Sequence, residues 1–403
     1  MNALQSLPFL VSVLVLGGCA SETVSTRLED LEAEAPVAPT PSAPTTPAPA
    51  MALTGNYHFL TPTRVADSRM AFGIDAKIVP GQIKRLSVGD LVLPVAEREG
   101  LMLEVTVAET EGVGSIAVYA CDDGRPDTVS LNYGASATVS NAVLVGKGKE
   151  ICFESNQGAH LIVDTVGVLG KGGDSLLTFN PFRLFDSRGT ARLLANVESE
   201  VNVAGIESIP TNTTGVVLNV TSTGSEETGF LSVYACGQGN NGTSSLSFNA
   251  TSETSGMVVS RVDPRGKICM MSSVDTDVLI DATAGFLKNG ASIRGVKAKR
   301  AFDSRSGEKI EGSASIPSIL SLGVPASVTS ALINIVVTEP DDAGFAVVYE
   351  CGKPVPQTAT VSFAAGQTIA NMAATVPSSG GELCIFTSVP THTVVDLLGY
   401  VAL

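Results

Sequence analysis

Six cysteines fall in three pairs, and each pair occupies the same place in one of three copies of a long internal repeat. Cys121 with Cys152, Cys236 with Cys269 and Cys351 with Cys384 recur at intervals of about 115 residues, so one structural plan is used three times. Other marks keep the same register. Arg64-Val65-Ala66-Asp67-Ser68-Arg69 returns as Arg183-Leu184-Phe185-Asp186-Ser187-Arg188 and as Arg300-Ala301-Phe302-Asp303-Ser304-Arg305. Tyr119, Tyr234 and Tyr349 each stand two residues before a cysteine, and each copy closes on an apolar-Asp segment at Asp164, Asp281 or Asp396. The copies run over 53–171, 175–288 and 292–403, separated by short linkers.

Within a copy, apolar residues come in short runs rich in Val, Ile, Thr and Phe, punctuated by Gly, Asn, Asp and Ser, which is strand chemistry. In the second copy the runs predict strands near 182–186, 197–203, 215–222, 229–235, 244–249, 256–261, 266–271 and 277–286. No stretch of the repeats carries a helical period. The fold class expected is all-β: three tandem β-sandwich domains, jelly-roll or immunoglobulin-like, each large enough for its own core and each with one disulfide. Short linkers imply that neighbouring domains touch and that the array is semi-rigid. The cysteine intervals are 31, 33 and 33 residues, no histidine recurs beside them, and none forms Cys-x-x-Cys. Structural disulfides fit an exported chain better than zinc or redox chemistry.

The export signal is the leader. Leu7 to Leu16 is an apolar run too short to span a membrane but suited to a signal peptide over 1–18, although Met1 to Pro8 lacks the usual positive charge. Leu16-Gly17-Gly18-Cys19 resembles the site at which bacterial lipoproteins are cleaved and diacylated, which makes Cys19 the expected lipidation site and the membrane a partner through that anchor. Ala20, rather than Asp, follows it; by the same resemblance this suits the outer membrane where the organism has two membranes. The segment 19–52 is then anchor and linker. Its Pro-rich part, 36–50, is an extended spacer of about 45 Å at about 3.1 Å per residue. Before it, Val24, Leu28, Leu31 and Ala35 follow the spacing of a short amphipathic helix or coiled-coil stub.

Candidate chemistry is sparse. The recurrent Arg and Asp residues (Arg64, Asp67, Arg69, Asp164; Arg183, Asp186, Arg188, Asp281; Arg300, Asp303, Arg305, Asp396) read best as a structural clasp between the first and last strands. His160 and His392 each lie four residues before a closing Asp, too far along a strand for a His/Asp pair, and the second copy has Asp277 instead. Acidic residues before a glycine recur at Glu109 and Glu111, Glu226 and Glu227, and Asp341 and Asp342, but no calcium-loop pattern accompanies them, so no metal or cofactor is expected. A net charge of -15 argues against nucleic acid and anionic lipid surfaces as partners. The absence of Trp, with only 6 Tyr, weakens the reading of an aromatic sugar-binding platform.

The linked motifs Arg183-Leu184-Phe185-Asp186-Ser187-Arg188, Gly215-Val216-Val217-Leu218-Asn219-Val220-Thr221, Gly229-Phe230-Leu231-Ser232-Val233-Tyr234 and the closing Val-Asp-x-x-Gly-Tyr resemble a secreted repeat found in tandem in bacterial surface and extracellular proteins. The resemblance spans residues 57–402. The cysteine pairs, Glu104 in place of Asn219 and Asn334, and a third copy lacking the Pro before its Arg depart from it. It implies extracellular interaction or architecture without catalysis. The functional expectation is therefore a non-catalytic, lipid-anchored cell-surface protein whose β-modules serve a structural or adhesive role, with an extracellular protein as one partner. The alternative is binding of a polysaccharide or cell wall. A hydrolase is a distant third.

Overall fold

The computed structural model describes residues 53–91 and 93–403; the expected signal peptide, Cys19 and the Pro-rich segment lie outside them. In the first copy the strands are β1 (Leu53–Asp67), β2 (Ile83–Ser87), β3 (Arg98–Ala108), β4 (Gly114–Ala120), β5 (Leu131–Tyr133), β6 (Val139–Val145), β7 (Glu150–Ser155) and β8 (His160–Gly170). They form two antiparallel sheets, β1-β8-β3-β6 and β2-β7-β4-β5. The pairs β1·β8, β2·β7, β3·β6 and β4·β5 make one long hairpin ribbon wrapped over on itself, which is the jelly-roll order.

The second copy repeats this with β9 (Ser175–Asp186), β10 (Ser199–Asn202), β11 (Gly215–Thr223), β12 (Gly229–Ala235), β13 (Leu246–Phe248), β14 (Thr254–Arg261), β15 (Lys267–Ser272) and β16 (Asp277–Leu287). The sheets are β14-β11-β16-β9 and β10-β15-β12-β13. In the third copy, β17 (Ile293–Asp303), β18 (Ile310–Ile316), β19 (Val328–Thr338), β20 (Gly344–Glu350), β21 (Val361–Phe363) and β22 (Ile369–Thr375) are completed by β23 (Leu383–Ala402). That strand serves both sheets: its first part pairs with β18 and β20, its last part with β17 and β19. At the start of β1, Leu53 to Gly55 pair with Ile293 to Gly295 of β17, joining the first and third copies edge to edge.

Alternation explains each sandwich. Along β3, Leu101, Leu103, Val105 and Val107 point inward onto Ile116, Val118, Ile151 and Phe153 of the opposing sheet. The turns that leave β3, β11 and β19 share a left-handed residue: Glu109 at φ 51°, Gly224 at φ 66° and Glu339 at φ 53°. Glycine takes that conformation freely; the two glutamates are held in it.

The residues between these inward ones do not face water, and this the sequence did not anticipate. Met102, Val217 and Leu332, at equivalent places on β3, β11 and β19, meet Ala142, Met257 and Met372 of β6, β14 and β22 in one buried core drawn from all three copies. The described residues accordingly belong to one compact unit. Polar bonds give the packing a direction. Ser247 of β13 donates its backbone N–H to Ser140 Oγ of β6 at 3.0 Å, and Ser362 of β21 does the same to Ser255 of β14 at 2.8 Å. The amide of Met372 donates to Asn141 Oδ1 and that of Met257 to Asn371 Oδ1, each at 2.9 Å. The second copy thus docks on the first, the third on the second, and Asn141 with Asn334, 3.3 Å apart, ties the first back to the third. This is a head-to-tail interface closed into a ring within one chain.

Candidate functional site

The recurrent Arg and Asp residues are set by strand register. Arg64, Arg183 and Arg300 stand directly opposite Asp164, Asp281 and Asp396 on the first and last strands of their copies. Arg64 grips Asp164 through two bonds, Nε–Oδ1 at 2.8 Å and Nη2–Oδ2 at 3.0 Å; Arg183 holds Asp281, and Arg300 Nε donates to Asp396 Oδ1 at 2.6 Å. The partner of the closing Asp is therefore the Arg that leads the motif. The Arg of the Asp-Ser-Arg triplet turns the other way: Arg69 forks onto Asp67, Arg188 onto Asp186 and Arg305 onto Asp303. Each of those aspartates also accepts the backbone N–H of its Arg.

Electrostatics separates the two sets. The hydrogen bond from Arg188 holds Asp186 down at about 2, and those from Arg69 and Arg305 depress Asp67 and Asp303 likewise. Asp281 and Asp396 are displaced upward because burial outweighs their arginine partners. These carboxylates are committed to structure at both ends.

The serine of the triplet is equally committed. Ser68, Ser187 and Ser304 accept the backbone N–H of Leu161, Val278 and Thr393, and turn their hydroxyls to His160 Nδ1 at 3.0 Å, Asp277 Oδ1 at 2.7 Å and His392 Nδ1 at 3.3 Å. In the first copy Glu109 Oε2 lies 3.9 Å from His160 Nε2, which completes a Ser-His-Glu line. Ser68 is 3% exposed, however, and its oxygen already accepts a backbone bond, so this line lacks the open nucleophile that acyl transfer needs. The spatial partner of each histidine is the triplet serine, with the closing Asp facing elsewhere along the strand.

Of the acidic loop residues, Glu111 pairs with Lys77 at 3.0 Å and Asp341 with Lys309 at 2.5 Å. Disulfides join Cys121 to Cys152, Cys236 to Cys269 and Cys351 to Cys384. Glu200 lies near the second of them, but those sulfurs are bonded to each other and offer no thiolate to a metal. Tyr234 on β12 and Tyr349 on β20 are buried, each in the sheet of its own copy, and donate to Glu198 Oε2 at 2.8 Å and Ser313 Oγ at 3.1 Å.

Two groups have roles that sequence reasoning missed. Asn219 and Asn334 reach across the ring seams, donating to Ala359 O at 2.7 Å and Val129 O at 3.0 Å, and Asn371 donates to Asn219 Oδ1 at 2.9 Å. At the third seam the pattern breaks: Glu104 replaces the asparagine, and Gly256 occupies the place of Asn141 and Asn371. Burial raises the Glu104 carboxyl well above its ordinary range, and neighbouring Asp164 adds to the shift. The substitution was visible in the sequence, but its burial was not. Arg98 is also buried, donating to the carbonyls of Val88, Gly89 and Gly148; burial lowers it, and nothing in its local sequence marked it.

Fold and residues together define an all-β protein of two-sheet sandwiches with three disulfides, whose recurrent polar residues knit strands and copies together. No family model matches the chain, and no curated protein matches it. In all, 6 chains of solved structures match. One belongs to the work "The Triple Jelly Roll Fold and Turret Assembly in an Archaeal Virus": 10% identity over 87% of this chain and 90% of that one, with a TM-score of 0.19. Another belongs to "Life in the extremes: atomic structure of Sulfolobus Turreted Icosahedral Virus": 11% identity over 79% of this chain and 84% of that one, again at 0.19. Overlap this slight carries no argument about fold or function here.

Proposed function

We propose that the chain is an exported, non-catalytic surface protein, tethered through lipid on Cys19 and a Pro-rich spacer, whose three modules form a structural or adhesive head. The observation that carries this reading is the commitment of the recurring polar residues. In every copy the Arg, Asp and Ser of the motif are bonded to one another or to backbone; asparagine pairs bridge two of the three seams, and Asn249 bonds to Thr138 at the third. Recurrence of that kind builds a rigid body. Disulfides support service outside the reducing cytoplasm.

The test is metabolic labelling of the full chain with palmitate in a bacterial host, combined with protease treatment of intact cells. Labelled protein, cleaved from outside and losing its label in Cys19→Ala, is the expected result. Unlabelled protein released freely into the medium would remove the anchor from the proposal, and protein shielded from protease in intact cells would remove surface display.

A further inference from the structure

A cleft of about 250 Å³ opens where the first copy meets the linkers on either side of the second. His58 and Phe59 of β1, Asp174 of the first linker, Arg261 at the end of β14, Lys288 closing the second copy and Asn289 of the second linker line it. The sequence motifs did not point here, and no part of the clasp enters it. We infer that this cleft binds a singly charged, hydroxyl-rich anion, namely a carboxylated sugar residue of an acidic glycan. This goes beyond the structural reading above, which stands whether or not the cleft is occupied.

Arg261 carries the argument. Its guanidinium sits 5.7 Å from the centre of the Phe59 ring, and the ring is itself fixed among Tyr57 and Phe286 at 4.8 and 5.0 Å. A stacked guanidinium is held in place with the donors on its edge unspent, and such a planar fork matches a carboxylate. Among the described residues neither Arg261 nor Lys288 has a carboxylate within ion-pair distance, in a chain of net charge -15 that supplies acidic partners to most of its other arginines. The cleft is thus a cationic spot on an acidic body.

The other walls narrow the ligand. Asp174 Oδ2 accepts from Thr214 at 2.7 Å, which fixes its carboxylate at the cleft with acceptor capacity left over. A fixed acceptor beside two cations favours hydroxyl groups and disfavours a doubly charged phosphate, so one carboxylate on a polyhydroxylated ring satisfies both halves of the site. The backbone is shaped for close approach. Gly172 has φ 84°, and a Cβ on Gly173 would lie 2.5 Å from the carbonyl oxygen of Tyr57, so that linker tolerates no side chain where it forms the rim.

The experiment is isothermal titration of the full chain at low salt with a uronic-acid oligomer, its neutral counterpart and inorganic phosphate, repeated with Arg261→Ala, Lys288→Ala and the control Lys353→Ala, far along the chain in the third copy. We expect the uronate to bind, salt to weaken it, the neutral sugar to fail, and Arg261→Ala to weaken binding about tenfold or more. Unchanged melting temperatures of the variants exclude misfolding as the cause. No uronate binding up to millimolar protein, phosphate bound as tightly as uronate, or equal loss in Lys353→Ala would each overturn the assignment.

Discussion

Glu104 on β3 stands directly across from Asp164 on β8, two carboxyl groups side by side in a seam where the other copies place an asparagine beside their aspartate. Asp164 is neutralised by Arg64, whereas Glu104 is buried and pushed upward, chiefly by desolvation and then by Asp164 itself. Burial beside a second carboxylate disfavours its charged form.

That relationship fixes a sign. Because the folded-state value lies above the ordinary 4.5, the stabilisation is complete below about pH 4.5 and is lost as pH rises through the folded value. Glu104→Gln keeps the shape without the titration. Melting curves from pH 4 to 9 should show the variant matching the parent in acid and exceeding it by about 2 °C or more at pH 8. Equal curves across the range would mean that Glu104 ionises freely.

Asp281 is 1% exposed and depends on Arg183, which remains partly open to solvent. Arg183→Leu should lower stability by about 2 to 3 kcal/mol, somewhat below the cost of breaking a fully buried pair. Arg183→Leu with Asp281→Leu should recover part of that loss, since the uncompensated charge then disappears. Denaturant unfolding of the single and double variants checks this, and a double variant no better than the single would contradict it.

Asn141 accepts the Met372 amide and donates to Asn334 at the seam of the first and third copies. Asn141→Leu strips both of these partners, and the Ser130 carbonyl that Asn141 also holds, of their bond to it, at a cost of about 2 to 3 kcal/mol. Asn156, whose Oδ1 accepts from Ser115 in an exposed loop, provides the comparison; Asn156→Ala should cost under about 1 kcal/mol. Matching losses at the two sites would argue that the seam bonds carry no special weight.

Removing Cys236 and Cys269 together should lower stability by about 3 to 4 kcal/mol through the freed loop. The shared core predicts how the loss is spread. Calorimetry of the double Cys→Ala variant should show one transition moved to lower temperature; a separate low-temperature peak for the second copy would show that the copies melt independently.

The strands, the three copies and the cysteine pairs were legible because they depend on local alternation and on repetition. Leu101, Leu103, Val105 and Val107 announce an inward face by composition alone, and the eight runs expected in the second copy each hold a strand. The sandwich order and the ring were not legible. Glu104, Thr106, Asn219 and Asn334 sit at the polar positions of their strands, and polar alternation reads the same whether that face meets water or another copy's backbone. The clasp illustrates the same division. Local sequence placed Asp67 next to Arg69, but only strand register brought Arg64 to Asp164 across 100 residues. Arg261 over Phe59 is a meeting of two copies with no sequence signal at all. Periodicity determines which side of a strand is apolar; what covers the other side is decided by packing between distant segments, where burial turns an ordinary asparagine into a bridge between copies and raises an ordinary glutamate out of its usual range.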